Sequence, residues 1–522
     1  MVIKLTMMKL RFLSSACIIG LLATSCKTAS VASVQDDGKI TVTFVQINDV
    51  YEIAPLQNGK VGGVTRVATL KKQELAKNPN TFLVMAGDFL SPSVYNSLKY
   101  EGQRIRGKQM VESLNAAGLD LAVFGNHEFD IKENELQDRI NESTFDWVAS
   151  NTFHQTTSGV APFVKTTSCG AVSFPETYYI NVQDADGTKA KIGIIGLTIP
   201  FNKVPYVKYT DEFKAAEMLY NQIKDSCDAV VALTHLAIEE DMALAKKVPG
   251  FAMIMGGHEH DMRFEKVNDI YITKAHANAK SAYVNYLTID VKNKKTSVIP
   301  ELRMIDESIP EDSETAVVVK KWMDIGEQNF ASLGFQAKRV IRQQGEPLDG
   351  REVMIRSGQT NLTKLVVKAM EQATPKAEVI LLNSGSIRVD DVLQMPVTEY
   401  DIIRTLPYGG SIVEVDMKGS LLIRTLEEGR LNTGSGGFLQ YTEKVVYNPA
   451  EKAWKIKGTT IDPKKVYHVG MADFLLTGGE TNMAFLTPEN PDIVKTYPVV
   501  TDTADPRSDS RLAIIQYMLK HQ

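Results

Sequence analysis

Five polar clusters in this chain each follow directly on a short apolar run, and each carries side chains able to hold a cation. Asn48-Asp49 follows residues 45–47, Gly87-Asp88 follows 83–86, and Gly125-Asn126-His127-Glu128 follows 122–124. Thr234-His235 then follows 230–233, and Gly256-Gly257-His258-Glu259-His260 follows 253–255. The donors are hard carboxylate and amide oxygens with borderline imidazole nitrogens, and no thiolate is among them. Such a set suits one or two divalent cations of the zinc or manganese kind better than calcium, which takes oxygen alone. Any one cluster is also ordinary turn chemistry; their recurrence at five run ends, with four of the eight histidines, is the signal.

The elements that must position these clusters are legible around them. Runs 41–47, 81–86, 119–124, 192–197, 229–233 and 251–255 read as strands, and segments 64–76 and 211–224 read as helices. That alternation predicts a layered α/β domain to about residue 300. In open α/β sheets the carboxyl ends of the strands form one rim where ligands bind, so the five clusters should converge there. A connector follows over 301–345, where Pro310-Glu311-Asp312 forms an acidic first turn and Val318, Trp322, Ile325 and Phe330 recur at helical spacing. From about residue 345 a second unit begins, with apolar runs, Gly-rich turns and an amphipathic helix near 362–370. No internal repeat is evident.

Composition bounds the class of partner. The chain has 522 residues, 43% hydrophobic and 23% charged, which is globular. With 58 basic against 63 acidic residues the net charge is −5, so no broad basic field exists to attract a nucleic-acid polymer. Lys4, Lys9 and Arg11 precede a short apolar run over 12–23, a signal-peptide pattern too short to span a bilayer comfortably. Leu22-Ala23-Thr24-Ser25-Cys26 resembles the lipobox of bacterial lipoproteins, with Ala23 where Leu is usual. Lipid on Cys26 would anchor an exported protein in the periplasm or on the outer membrane or cell surface; plain secretion is the alternative. Cleavage before Cys26 leaves a net charge of −8 and two further cysteines, Cys169 and Cys227, which form one disulfide or none.

The five clusters in this order resemble the calcineurin-like metallophosphoesterase superfamily, and within it the 5′-nucleotidases. The resemblance implies that Asp49, Asp88 and His260 hold one metal and that Asp88, Asn126, His235 and His258 hold the other. It also implies that His127, oriented by Asp130, protonates the leaving group. One position departs: the family has a His two residues after the first Asp, and this chain has Tyr51. Either Tyr51 coordinates as phenolate or water fills the gap and weakens that site.

The C-terminal half extends the resemblance over nearly the whole mature chain. Arg356-Ser357-Gly358-Gln359-Thr360-Asn361-Leu362, Leu382-Asn383-Ser384-Gly385-Ser386-Ile387-Arg388, Leu406-Pro407-Tyr408-Gly409-Gly410, Gly436-Gly437-Phe438-Leu439-Gln440 and the segment from Phe474 to Phe485 are similar, in order, to the 5′-nucleotidase C-terminal domain. By family position Tyr408 and Phe474 would sandwich a base, Glu480 would accept from ribose hydroxyls where the family has Asp, and Arg356, Asn383 and Arg388 would contact phosphate, ribose or base edge. Ser384 and Ser386 replace frequent glycines, and Thr363-Lys364 stands where Gly-Asn is usual.

The resemblance therefore implies an α/β (α+β overall) protein, with a four-layer αββα metallophosphoesterase domain and a smaller α/β nucleotide-binding domain. Its segments would be a signal peptide (1–25), a tether (26–39), the metal domain (40–300), a helix-bearing linker acting as hinge (301–345) and the substrate-binding domain (346–522). The implied activity is hydrolysis of nucleoside 5′-monophosphates by a water activated at two divalent ions, zinc or manganese. Alternatives in the same chemistry are a 2′,3′-cyclic-nucleotide phosphodiesterase with 3′-nucleotidase activity and a nucleotide-sugar or dinucleotide diphosphohydrolase. A catalytically degenerate nucleotide-binding surface protein is the alternative of another class. The sequence sets no oligomeric state.

Overall fold

A computed structural model describes residues 36–521. The expected signal peptide, the Cys26 lipidation site and most of the tether lie outside the described residues.

Two six-stranded sheets face each other in the N-terminal half. The first runs in the order Lys295–Met304, Ser281–Asp290, Lys39–Ile47, Thr81–Met85, Leu121–Val123, Asp146–Val148, its last four strands parallel. The second runs Thr177–Gln183, Lys189–Thr198, Ala229–His235, Met253–Gly256, Ile270–Lys274, Arg263–Val267, parallel through its middle and antiparallel at both edges. Alternation along each strand splits its apolar residues between two cores. Ile40, Val42 and Phe44 meet Ile192, Ile194, Val231 and Leu233 between the sheets. Val45 and Ile47 turn the other way, onto Val67 and Leu70 of helix Val64–Lys77 and Met110 and Leu114 of helix Lys108–Ala117. Val230 and Ala232 likewise meet Leu219 of helix Glu212–Ile223 and Leu244 of helix Ile238–Lys247. The result is four layers, helix, sheet, sheet, helix.

Helix Ser313–Ser332 begins where the acidic turn places it, with the Asp312 side chain accepting from the Thr315 amide. Its Trp322 is fully buried, donates from Nε1 to Glu112 Oε2 at 2.9 Å and packs edge-on against Tyr100. The helix is thus clamped to the first domain rather than lying free between two. The second unit is a five-stranded sheet in the order Leu439–Tyr441, Val379–Asn383, Val466–Ala472, Ile412–Lys418, Ile493–Thr496. Leu381, Val415 and Val469 pack with Leu422 and Leu426 of helix Gly419–Leu431 on one face. Ile380 and Leu382 pack with Val366 and Met370 of helix Asn361–Ala373 and Ile514 of helix Ser510–Lys520 on the other. Cys169 and Cys227 are both free thiols. Among the described residues no helix is long and apolar enough to cross a membrane.

Candidate active site

The five clusters do converge at one rim, on backbone that is held under strain. Asp49, Asp88, His258 and His260 have φ of 53°, 57°, 93° and 54°, a region costing non-glycine residues about 1–3 kcal/mol each, sustained only where surrounding contacts over-determine it. Those contacts are present. The Glu128 carboxylate, fully buried, accepts from the amides of Asp88 (2.9 Å), Phe89 (2.7 Å), Leu90 (3.1 Å) and Gly125 (2.6 Å), tying two loops together. Asp49 Oδ2 accepts from Asn48 Nδ2 at 2.8 Å and from the His258 amide at 2.9 Å, tying two more. Gly125 passes so close that a Cβ there would sit 2.1 Å from Asp88 Oδ1.

The donor set fits a cation. His235 donates from Nδ1 to the Ala86 carbonyl at 2.7 Å, which leaves Nε2 facing Asp88 Oδ2 at 3.1 Å. His235 Nε2 and Asn126 Oδ1 are buried with no hydrogen-bond partner among the described residues, an arrangement costly for polar atoms unless an ion takes the place of the partner. Ligand atoms of Asp49, Asp88 and His235 all lie within 4.8 Å of one another, and the His258 ring stands edge-on to His235 with centroids 5.3 Å apart. Tyr51 is buried, its Oη 2.9 Å from His260 Nε2, 3.3 Å from Asp88 Oδ2 and 3.4 Å from Asp49 Oδ1.

Electrostatics in the ion-free chain show what a cation would relieve. Burial lowers the pKa of His235, yet Asp88 and Asp49 together raise it to about 10. For His260 burial is likewise outweighed, here by Asp390 and Asp49, and the value rises to about 9. Burial and the neighbouring His235 push His258 down to about 3, leaving a neutral imidazole suited to binding metal. Burial raises the Asp88 carboxyl, but His235 and His127 bring it below the usual carboxylate range. Burial, then Asp88 and Asp49, hold the Tyr51 phenol well above its ordinary value.

His127 lies beside this cluster, its amide donating to Asp88 Oδ1 at 2.7 Å and its Nδ1 2.6 Å from Asp130 Oδ2. Asn202 Nδ2 donates to Asp130 Oδ1 at 2.7 Å and Ser91 Oγ to Asp130 Oδ2 at 3.1 Å, so the carboxylate is itself oriented. Burial lowers the His127 pKa, and Asp88 and Asp130 raise it further than burial lowers it.

The second domain reaches into the rim. Arg388 Nη2 lies 3.3 Å from His127 Nε2, and Asp390 accepts from His260 Nδ1. Tyr51, His260, Arg388 and Asp390 line one crevice between the domains. Beyond it a cleft of about 640 Å³ is lined by Asn383, Tyr408 and Phe474. Tyr408 is 59% exposed and Phe474 45%, so these are not the core aromatics that base rates favour. Ser386 Oγ donates to Asn383 Oδ1 and Asn383 Nδ2 to Glu480 Oε2, each at 2.7 Å, fixing the amide. Arg356 is drawn to Glu352, with Nη1 2.6 Å from Oε1. Sequence reasoning had no role for Glu128, Asn202, Glu352 or Asp390. Glu128 and Asp390 stand next to and two residues from assigned residues, which is the only local signal they give.

Comparison with known proteins agrees with this geometry. Residues 42–262 match the family model for calcineurin-like phosphoesterases, and residues 340–487 match that for the 5′-nucleotidase C-terminal domain. The chain is 25% identical over 475 residues to a 5′-nucleotidase of Bos taurus, covering 80% of this chain and 78% of that one. It is 24% identical over 494 residues to a trifunctional nucleotide phosphoesterase of Bacillus subtilis, covering 86% of this chain but 32% of that longer protein. The solved 5′-nucleotidase precursor of Thermus thermophilus shares the fold, with a TM-score of 0.67 at 22% identity over 92% of this chain and 97% of the other. Fold and rim together define a metal-dependent hydrolase of phosphoester bonds. Its two matched domains, in this order, make the chain a member of the 5′-nucleotidase family.

Proposed function

We propose that the chain hydrolyses nucleoside 5′-monophosphates to nucleoside and phosphate, using two divalent ions of the zinc or manganese kind. Asp49, Tyr51, Asp88 and His260 would hold one ion, and Asp88, Asn126, His235 and His258 the other. When bound, such a pair supplies Lewis acidity to the phosphoryl oxygens and a nucleophilic water near neutral pH. Everything else falls to the chain's own side chains. Asp130 fixes His127 so that Nε2 faces the second domain, where it can deliver a proton to the departing 5′-oxygen. Arg388 adds fixed positive charge for the phosphate, and Arg356 a second guanidinium near it. Tyr408 and Phe474 offer flat faces to the base, and Glu480 with Asn383 offers acceptors and a donor to the ribose.

The observation that carries this reading is the Arg388–His127 contact, which joins the nucleotide cleft of one domain to the ligand rim of the other. Within the 301–345 connector, the stretch after helix Ser313–Ser332 would let the domains part and close around substrate, with a signal peptide and a lipid at Cys26 placing the enzyme outside the cytoplasm. The likeness to a trifunctional nucleotide phosphoesterase keeps cyclic and dinucleotide substrates in the test.

That test is a phosphate-release panel over AMP, 2′,3′-cyclic AMP, a dinucleotide and ribose 5-phosphate. AMP should be preferred over ribose 5-phosphate. Replacing Tyr408 or Phe474 by alanine should raise KM for AMP about tenfold or more per ring, the scale of aromatic–base stacking, while leaving ribose 5-phosphate unchanged. Equal handling of AMP and ribose 5-phosphate by the parent chain would contradict a base-binding cleft. Preference for the cyclic or dinucleotide member would move the substrate within the same chemistry.

A further inference from the structure

We infer that the half of the rim formed by Asp49, Tyr51, Asp88 and His260 is built for trivalent iron bound through the Tyr51 phenolate, beside a divalent ion in the other half. The inference rests on the metal-dependent reading above and replaces the divalent ion of that half with a trivalent one. A cation bonded at about 2.0–2.1 Å sets its neighbouring ligand atoms about 2.9–3.4 Å apart. The four donors stand close to those separations: the three Tyr51 Oη distances run from 2.9 to 3.4 Å, and His260 Nε2 is 3.5 Å from Asp49 Oδ1.

The orientation of each group supports one occupant. Asp390 accepts a hydrogen bond from His260 Nδ1, which turns Nε2 inward to lie 2.9 Å from the Tyr51 hydroxyl oxygen. On ion binding the Tyr51 O–H bond breaks, the proton leaves to solvent and an oxygen–iron bond forms, with the ion supplied already ferric. The Tyr51 ring is buried, so its oxygen is the atom the fold presents at this position.

Charge and hardness then differ between the halves. One offers two carboxylates, a phenolate and a single imidazole; the other offers an amide oxygen, two imidazoles and a share of Asp88. Three anionic oxygens form a hard, strongly charged set that matches a small trivalent ion, whereas imidazole nitrogen suits zinc or another borderline divalent ion. Tyrosinate is an established ligand of protein-bound iron.

The test offers ferric citrate and zinc together to the metal-stripped full chain, counts both metals and records the visible spectrum. The expected result is iron and zinc in equal amounts, with a visible phenolate-to-iron charge-transfer band. Tyr51→Phe should lose the band and the iron while keeping zinc and its circular dichroism. Tyr51→His, which supplies a nitrogen instead, should be colourless and bind zinc in place of iron. A colourless parent with zinc in both halves, or a band that survives in Tyr51→Phe, would overturn the inference. Phosphate release on the same samples separates the two readings. Release without colour removes the iron alone, and colour without release from any nucleotide removes the hydrolase assignment alone.

Discussion

Replacing His127 by alanine should lower kcat for AMP by about 10²-fold or more, the usual contribution of a positioned general acid. The 5′-oxygen of a nucleotide leaves as a poorly stabilised alkoxide, so its departure depends on a proton. In the proposed mechanism His127 gives it, with Nδ1 2.6 Å from Asp130 Oδ2 and Nε2 3.3 Å from Arg388 Nη2. A phosphoester whose leaving group is already a stable anion, such as p-nitrophenyl phosphate, needs no such proton. Turnover of that substrate should therefore fall far less in the same variant. Steady-state rates on both substrates separate acid catalysis from a positioning role, since loss of loop geometry would slow both alike. Equal losses on the two substrates would remove the acid assignment from His127.

Asp88→Asn should be still more damaging, with a loss in AMP turnover at least as large as the ~10³-fold that removal of one preorganised electrostatic group can cause. Asp88 is the carboxylate proposed to serve both ions, 3.1 Å from His235 Nε2 and 3.3 Å from Tyr51 Oη. Its φ of 57° is tolerated by asparagine nearly as well as by aspartate, so the substitution removes the charge and leaves the strained backbone intact. The deficit should thus appear as lost metal, with far-ultraviolet circular dichroism unchanged. Metal content by elemental analysis checks it: a variant that keeps the parent's metal complement and activity would exclude Asp88 as the shared ligand.

Much of this site is legible in the sequence because its candidate ligands follow strands that are buried on both faces. Residues 229–233 and 251–255 are continuous apolar runs, and the polar residue that ends each one marks the rim. Strands Ser281–Asp290 and Lys295–Met304 leave weaker traces, because in the second of these most side chains face solvent and alternate with few apolar partners. The helix at 313–332 is readable as a helix from its cap and spacing, but not as part of the first domain. That depends on Trp322 finding Tyr100 and Glu112, more than two hundred residues earlier.

The same distinction divides the site residues. Asn126 and His235 announce themselves by type and place. Glu128 does not, since a carboxylate that accepts four backbone amides from two loops looks in sequence like any surface glutamate. Asp390 is invisible for another reason: its partner, His260, lies on the other domain, and only docking brings them together. Sequence pattern reports the burial period of one element, whereas these contacts are set by how separate elements pack.

The most direct single measurement is phosphate release from AMP by the full chain before chelation, after chelation, and after divalent zinc or manganese is returned. If Asp49, Tyr51, Asp88, Asn126, His235, His258 and His260 hold the ions that drive hydrolysis, release stops on chelation and returns with metal. Release that continues in the metal-free chain would contradict a metal-dependent nucleotidase centred on this rim.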